Sequence, residues 1–196
     1  MTEKEHNKML VEKYPFLIPT SMWTSEPVES YDYSYTFLDD MPKGWKRAFG
    51  EIMCEMIKKE LIKHNQLDKY RVIQVKEKFG QLCWYDRNTT NEIRNIIKDF
   101  EYISSFTCIN CGKLNASMIG GLWISPFCEE CYLKEHKRYN ATSEDYQNHK
   151  LSKDTLEPTY EIVVYKGDEK IVIKRNVSEI LKKIAKNLEI NKTIQI

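Results

Sequence analysis

The sequence predicts a mixed α+β fold, because helical and strand patterns both occur along the chain and neither dominates. Residues 45–64 place apolar side chains three or four positions apart, as in a helix with one buried face. Residues 70–76 and 81–85 have the pattern of two short strands around a turn at Phe79 and Gly80. With 196 residues, the chain is long enough for one sizeable domain with a small appendage.

The first part of the chain, residues 1–107, is expected to form an α+β body. Residues 3–14 predict a short helix that ends before a proline. Residues 31–37 alternate aromatic and polar side chains, which predicts a strand or extended arm with one aromatic face. We expect that face to cover the core; a surface for an aromatic ligand or a partner is the alternative.

A second amphipathic helix is expected after the two strands. Thr89 and Glu92 have the spacing of a capping box, in which a hydroxyl and a carboxylate satisfy free backbone amides. The apolar residues of the predicted buried face are Ile93, Ile96, Ile97, Phe100 and Ile103.

Two cysteine pairs form the strongest motif of the chain. The pairs are Cys108 with Cys111 and Cys128 with Cys131. Two intervening residues allow both sulfurs of a pair to bind the same ion, and four thiolates complete the tetrahedral shell that zinc prefers. We expect one structural Zn²⁺, because a closed shell leaves no position for a catalytic water. A disulfide framework fits less well, since a chain of this length does not need one.

Residues 108–140 are expected to hold this metal in a treble-clef or zinc-ribbon-like zinc module. Residues 120–124 suggest a turn and a strand between the pairs, and a helical segment follows Cys128. In a treble clef the last two ligands lie in the first turn of that helix; in a zinc ribbon they lie on a second hairpin. Residues 141–158 are polar and irregular, and we expect a linker there.

Residues 159–196 predict a C-terminal ββα appendage. Two alternating segments, 159–165 and 170–174, flank a turn that contains glycine. The helical stripe that follows consists of Val177, Ile180, Leu181, Ile184 and Leu188. Because so small a unit would be marginally stable alone, we expect it to dock on the body.

Composition disfavours several classes of function. The net charge of +1 produces no overall field that would attract nucleic acid. No apolar run has membrane-spanning length and no apolar signal segment begins the chain, so we expect a cytoplasmic protein without membrane contact. No phosphate-binding loop, nucleophile elbow or dinucleotide fingerprint is present.

The first predicted hairpin carries candidate ligand-binding residues. Lys76 and Lys78 would contact a phosphate or an acidic partner, and Trp84 and Tyr85 would stack on bases. The simpler interpretation is a hairpin whose alternating charges pair across the sheet. Residues 45–107 have the largest basic excess of the chain, which makes nucleic-acid or nucleotide binding the alternative function.

A metal-dependent nuclease built on a treble clef is the second alternative. Such a site needs a histidine base and further metal ligands beside the cysteines. Only His136 and His149 follow the cysteine pairs, and His149 falls in the expected linker.

A set of short motifs between residues 14 and 131 carries a resemblance to a known family. The motifs are 14–17 (YPFL), 38–42 (LDDMP), 44–45 (GW), 49–50 (FG), 75–80 (VKEKFG), 104–112 (SSFTCINCG) and 123–131 (WISPFCEEC). Together they resemble an uncharacterised zinc-knuckle family of bacteriophages and prophages. The resemblance implies a phage-type accessory protein of the bacterial host cell. Its expected partner is a host protein or a component of a defence system, and the resemblance implies no catalytic residue.

Overall fold

The computed structural model describes residues 2–21, 28, 30–121, 123–152 and 154–194, and it is a mixed α+β fold. Its helices are α1 (Glu3–Lys13), α2 (Lys43–Trp45), α3 (Glu51–Lys63), α4 (Asn91–Ser104), α5 (Glu129–Glu135), α6 (Ser143–Asn148) and α7 (Ser178–Ile194). Its strands are β1 (Arg71–Lys78), β2 (Gln81–Arg87), β3 (Ser117–Ile119), β4 (Ser125–Phe127), β5 (Thr159–Lys166) and β6 (Glu169–Asn176). Within these ranges, no helix is long and apolar enough to cross a bilayer.

The helix predicted over residues 45–64 is present but contains a π-helical turn. Lys46–Gly50 forms that turn and joins α2 to α3 without a break. A π-turn accommodates an extra residue, so it changes which side chains of the following helix face the core. The spacing of apolar residues predicted the helix but not the π-turn within it.

Of the strand or extended arm predicted over residues 31–37, the strand is not present. Tyr33 has a φ of 63°, and Phe37–Asp40 forms a short 3₁₀ helix. Thr36 and Asp39 form a capping box at its start, and these local side-chain hydrogen bonds compete with extended structure. The alternating aromatic residues therefore belong to an irregular turn, in which the Tyr31 hydroxyl donates to the carbonyl oxygen of Tyr35 at 2.7 Å.

The predicted hairpin of β1 and β2 is confirmed. The two strands are antiparallel and pair Val75 with Trp84 and Lys76 with Cys83. Phe79 and Gly80 form the turn, and both have positive φ (52° and 78°), as a type I′ turn requires.

One hydrophobic core joins the N-terminal body to the C-terminal helix. It extends from Leu10 of α1 to Ile184 of α7 and includes the fully buried side chains of Trp45, Phe49 and Phe100. Helix α4 begins after Thr90, whose side chain accepts from the Ile93 amide, one residue later than the predicted capping box.

The C-terminal ββα unit docks on the body, as expected. Val177, Ile180 and Ile184 belong to the main core. Arg175 of β6 makes two hydrogen bonds to the buried carboxylate of Asp99 on α4, at 2.6 and 3.0 Å. Tyr160 of β5 donates to the same carboxylate at 2.8 Å.

Residues 141–158, expected to form an irregular linker, contain helix α6. Its Tyr146 packs against Tyr132 of α5, with ring centroids 5.4 Å apart, and donates to the carbonyl oxygen of Phe127. A capping box between Thr142 and Asp145 starts the helix. The polar composition of this segment did not predict α6, which packs against the cysteine-containing module.

Candidate metal centre

The four cysteine sulfurs converge on one point of the structure. The sulfurs of Cys108, Cys111, Cys128 and Cys131 all lie within 4.8 Å of one another, and those of Cys111 and Cys128 are 3.6 Å apart. A zinc–sulfur distance of about 2.3 Å places the sulfurs of a regular tetrahedron roughly 3.8 Å apart. The cysteines therefore lie close enough to hold one metal ion, as predicted.

A tight turn of the backbone positions the first pair. The Gly112 amide donates to the carbonyl oxygen of Cys108 at 2.8 Å, and Gly112 has a φ of 75°, which favours glycine. The Cys108 amide donates to the carbonyl oxygen of Lys113 at 2.9 Å. These bonds turn both sulfurs of the pair to the same side.

A helix positions the second pair. Cys128 is the N-cap residue of α5, and Cys131 lies in the first turn of that helix. The short hairpin of β3 and β4 connects the two pairs. The order along the chain is therefore cysteine turn, hairpin and helix.

Backbone amides contribute to the electrostatics at Cys108. Burial acts to raise the pKa of this thiol, but amide hydrogen bonds from Cys128, Cys111 and Asn110 outweigh burial and lower the pKa. The pKa of Cys128 is raised to about 11, mainly by burial and in part by the nearby Cys108 sulfur, against a backbone hydrogen bond from Cys131 that acts to lower it. Several thiolates at these distances would repel one another, and a bound cation would offset that repulsion.

Two glycines fix the first cysteine pair against the body of the protein. The Gly44 amide donates to the carbonyl oxygen of Ile109 at 2.8 Å. A Cβ atom on Gly44 would lie 2.3 Å from the carbonyl oxygen of Cys108 and 2.7 Å from the Gly112 nitrogen. Only glycine allows this close backbone contact.

Side chains of the body also bind the backbone at and just before this pair. The indole nitrogen of Trp45 donates to the carbonyl oxygen of Thr107 at 2.7 Å, and Arg47 donates to that of Cys111. The α2–π segment therefore supports the cysteine turn through backbone and side-chain hydrogen bonds together.

The structure separates the four candidate ligand residues of the first hairpin. Lys76 and Tyr85 share its outer face, with the lysine amine 5.0 Å from the ring centroid, and the exposed Lys78 lies on the same face. Trp84 is 5% exposed and donates to the Tyr70 hydroxyl at 3.0 Å. Trp84 is therefore a core residue, which corrects the expectation that it stacks on a base.

Two exposed aromatic residues, not considered in the sequence analysis, lie on two hairpins that a side-chain hydrogen bond joins. Phe79, at the tip of the first hairpin, is 70% exposed, and Trp123, between β3 and β4, is 69% exposed. The Glu77 carboxylate accepts from the Trp123 indole at 3.1 Å and from the Gly80 amide at the hairpin turn. We call Phe79 and Trp123 the aromatic pair. The sequence did contain a signal for Phe79, because a phenylalanine directly before the turn glycine must adopt a positive φ that bulky residues seldom have.

The structure brings both candidate histidines to the ring of Tyr132. The ring centroid of His136 lies 4.4 Å from that of Tyr132, and that of His149 lies 6.3 Å away. Both histidines line a cavity of 580 Å³ beside the β3–β4 hairpin. Within the described ranges, the four cysteines are the one group of three or more potential metal ligands that converges.

Comparisons with known proteins add no relative to this picture. No protein-family model matches the chain, and no similar protein was found among curated proteins or solved structures.

Proposed function

We propose that the protein binds one structural Zn²⁺ and acts by binding a partner protein through the aromatic pair. The observation that carries this proposal is the closed set of four cysteine sulfurs, in a chain that also exposes two large aromatic side chains on hydrogen-bonded hairpins. Four thiolates saturate zinc, which leaves no open position for a substrate.

The arrangement of the ligands supports a treble clef over a zinc ribbon. Cys128 and Cys131 lie at the start of α5, where a zinc ribbon would have a second hairpin. The N-terminal amides of that helix and its dipole favour negative charge, which suits thiolate ligands. Cysteine sulfurs together with this geometry favour Zn²⁺ as the metal.

The aromatic pair has the properties of a protein-binding surface. Exposed tryptophan and phenylalanine side chains contribute strongly to protein interfaces when a partner buries them. Phe79 is held in a left-handed backbone conformation, and such strain is retained mainly at functional positions. Glu77 fixes the two hairpins relative to one another, so little conformational entropy is lost on binding.

The identity of the partner is proposed from the resemblance. A phage-type accessory protein acts in a bacterial host cell, and its targets are host proteins or components of defence systems. The motifs at 75–80 and 123–131 each contribute one member of the aromatic pair. The resemblance and the exposed surface therefore point to the same part of the molecule.

A capture experiment with matched variants tests this function. The zinc-loaded chain is immobilised and exposed to a bacterial lysate, alongside Phe79→Ala, Trp123→Ala and the control Tyr165→Ala. Tyr165 is 69% exposed and lies on the β5–β6 hairpin, so it matches the loss of exposed aromatic area. We expect the parent and the control to capture the same protein and both aromatic-pair variants to lose it. Capture that survives in both variants would contradict the proposal.

A further inference from the structure

A groove on the body of the protein concentrates positive charge. Two adjoining cavities of 440 and 570 Å³ share the lining residues Glu51, Ile52 and Asn187. The basic residues of the first cavity are Lys13, Lys59, Lys183 and Lys186, and those of the second are Lys43, Lys46 and Arg47. Glu51 and Glu55 are the acidic lining residues. A chain with a net charge of +1 thus places a large positive excess in one groove.

The first cavity is lined by apolar side chains as well as by lysines, and we call the apolar part its floor. Its floor includes Ile52, Met56 and Ile190, contributed by α3 and α7. Lys183 and Lys186 have no ion-pair partner in the part of the chain that the structure describes. Their ammonium groups are therefore available to a negatively charged ligand that covers the apolar floor.

The second cavity is more polar and holds unused hydrogen-bond donors. Lys43 has no ion-pair partner among the described residues, and Lys46 pairs with Asp39. Arg47 donates one terminal N–H to the carbonyl oxygen of Cys111, and no acceptor for its buried Nε atom is found among the described residues. Guanidinium and ammonium groups are the donors that phosphate oxygens bind most strongly.

The π-turn and α7 join the two cavities. The Asn187 side-chain amide donates to the carbonyl oxygens of Arg47 and Ala48, at 2.8 and 3.0 Å. These carbonyls belong to the π-turn, and π-turns occur frequently at functional sites. Asn187 therefore holds α7, which lines the first cavity, against the π-turn, which lines the second.

We propose that this groove binds a nucleoside phosphate. Its phosphates contact Lys43, Lys46 and Arg47, and its base covers the floor formed by Ile52 and Met56. The volumes fall within the range of roughly 300–1,000 Å³ that small-ligand sites occupy. This site extends beyond the proposed protein binding, because neither member of the aromatic pair lines it.

Calorimetric titration of the zinc-loaded full chain tests the ligand class. ATP, GTP, CTP and UTP are titrated separately, with tripolyphosphate and adenosine as the two partial ligands. We expect at least one nucleotide to bind about tenfold more tightly than tripolyphosphate, since the base adds contacts with the apolar floor. Adenosine alone should give no measurable binding. No binding of any nucleotide, or tripolyphosphate binding as tightly as every nucleotide, would overturn the proposal.

Two charge reversals on α7 locate the site. Lys186 lines the groove, whereas Lys182 is exposed on the same helix, pairs with Glu179 and does not line it. We expect Lys186→Glu to weaken nucleotide binding about tenfold, because it replaces a cation that lines the groove by a carboxylate that repels the phosphates. Lys182→Glu changes the net charge equally and should alter affinity less than about twofold. Equal losses in the two variants would show non-specific attraction and would also overturn the proposal.

Discussion

The partly buried carboxylate of Asp39 accepts several hydrogen bonds. It accepts from the Thr36 amide at 2.7 Å, from the Thr36 hydroxyl at 3.0 Å and from Lys46. Burial acts to raise the pKa of Asp39, but the bonds from Lys46 and Thr36 outweigh burial and lower it. A carboxyl group with a lowered pKa in the folded state stabilises the protein when it is ionised.

Asp39→Asn should therefore destabilise the protein in a pH-dependent manner. We expect a loss of about 1–3 kcal/mol at pH 7, as for a hydrogen-bonded charged group. The stabilisation is fully present above the unfolded-state pKa of about 4 and is lost as the pH falls through the lower folded-state pKa. Urea unfolding across this pH range measures the free energy of unfolding of the parent and of the variant. Because acid weakens metal binding equally in both proteins, that effect cancels in the difference between the two free energies.

The control for this prediction is Asp32→Asn. Asp32 pairs with Lys4 at the exposed surface, where ion pairs contribute little. A loss in Asp39→Asn that stays constant down to pH 3 would contradict the assignment of the effect to the carboxylate charge.

Phe79 combines an exposed ring with a strained backbone, so its substitution separates stability from binding. Phe79→Gly removes the side chain that is disfavoured at a φ of 52°. Glycine relieves the backbone strain of the folded state but also gives the unfolded chain more conformational entropy. We expect the first effect to be larger, so that the free energy of unfolding increases by about 0.5–1 kcal/mol. Denaturant unfolding measures this gain.

Phe79→Ala is the matched variant for this prediction. It removes the ring but keeps the Cβ atom and therefore the strain. We expect no gain in stability from Phe79→Ala, although both variants should lose the captured partner. Equal stabilities of the two variants would show that the backbone conformation of Phe79 carries no cost.

The contact between the body and the first cysteine pair depends on Gly44. In Gly44→Ala the new methyl group would meet backbone atoms of Cys108, Ile109 and Gly112, which cannot move aside independently. We expect a loss of about 2–4 kcal/mol in stability, in the range of severe core substitutions. Zinc affinity should also fall, because the shifted turn misplaces two sulfurs. Thermal unfolding and competition with a zinc chelator measure the two effects.

Gly50→Ala is the control for this substitution. Its new methyl group would meet side-chain atoms of Leu38 and Met41, at 3.2 and 3.6 Å, which can shift slightly. We expect its effect to stay below about 1 kcal/mol and zinc affinity to be unchanged. A mild effect of Gly44→Ala on both quantities would contradict the close-packing account.

Elements with a strong local signal were predictable from the sequence. The spacing of the cysteines predicted a convergent site, and helical periodicity predicted α1, α3 and α4. The prediction failed in two places where a capping box starts a short helix. The capping box of Thr36 and Asp39 starts a 3₁₀ helix where a strand was predicted, and that of Thr142 and Asp145 starts α6 where a linker was predicted. Side-chain polarity alone does not distinguish a capped short helix from a loop.

Features that depend on distant parts of the chain were not predictable. The bond between Arg175 and Asp99 joins residues 76 positions apart, and Asn187 binds carbonyls about 140 positions away. The sequence predicted that the tail docks, but not where. The aromatic pair likewise depends on Glu77, which joins two hairpins that are separate in the sequence.

The molecule as a whole consists of one large core and a module with little apolar packing. The main core includes side chains from α1 to α7, whereas the cysteine cluster packs around Ala116 and few other apolar groups. A neighbouring small cluster contains Ile119, Tyr132 and Tyr146. The module should therefore depend on its metal for stability, as small zinc modules do.

Removal of the metal should unfold the cysteine-containing module before the main core. We expect a chelator to abolish hydrogen-exchange protection in residues 108–149 first, while the helices of the main core stay protected. Mass-spectrometric hydrogen exchange of the full chain, with and without chelator, measures this order. Cys111→Ser should reproduce the chelated pattern. Simultaneous loss of protection in both regions would contradict the division into core and metal-dependent module.

The central claim is that four cysteine sulfurs hold one zinc ion, and native mass spectrometry tests it most directly. The account predicts that the purified, reduced chain carries one zinc ion, and that Cys111→Ser binds zinc more weakly or not at all. A folded, reduced chain that carries no metal after purification with zinc present would contradict it.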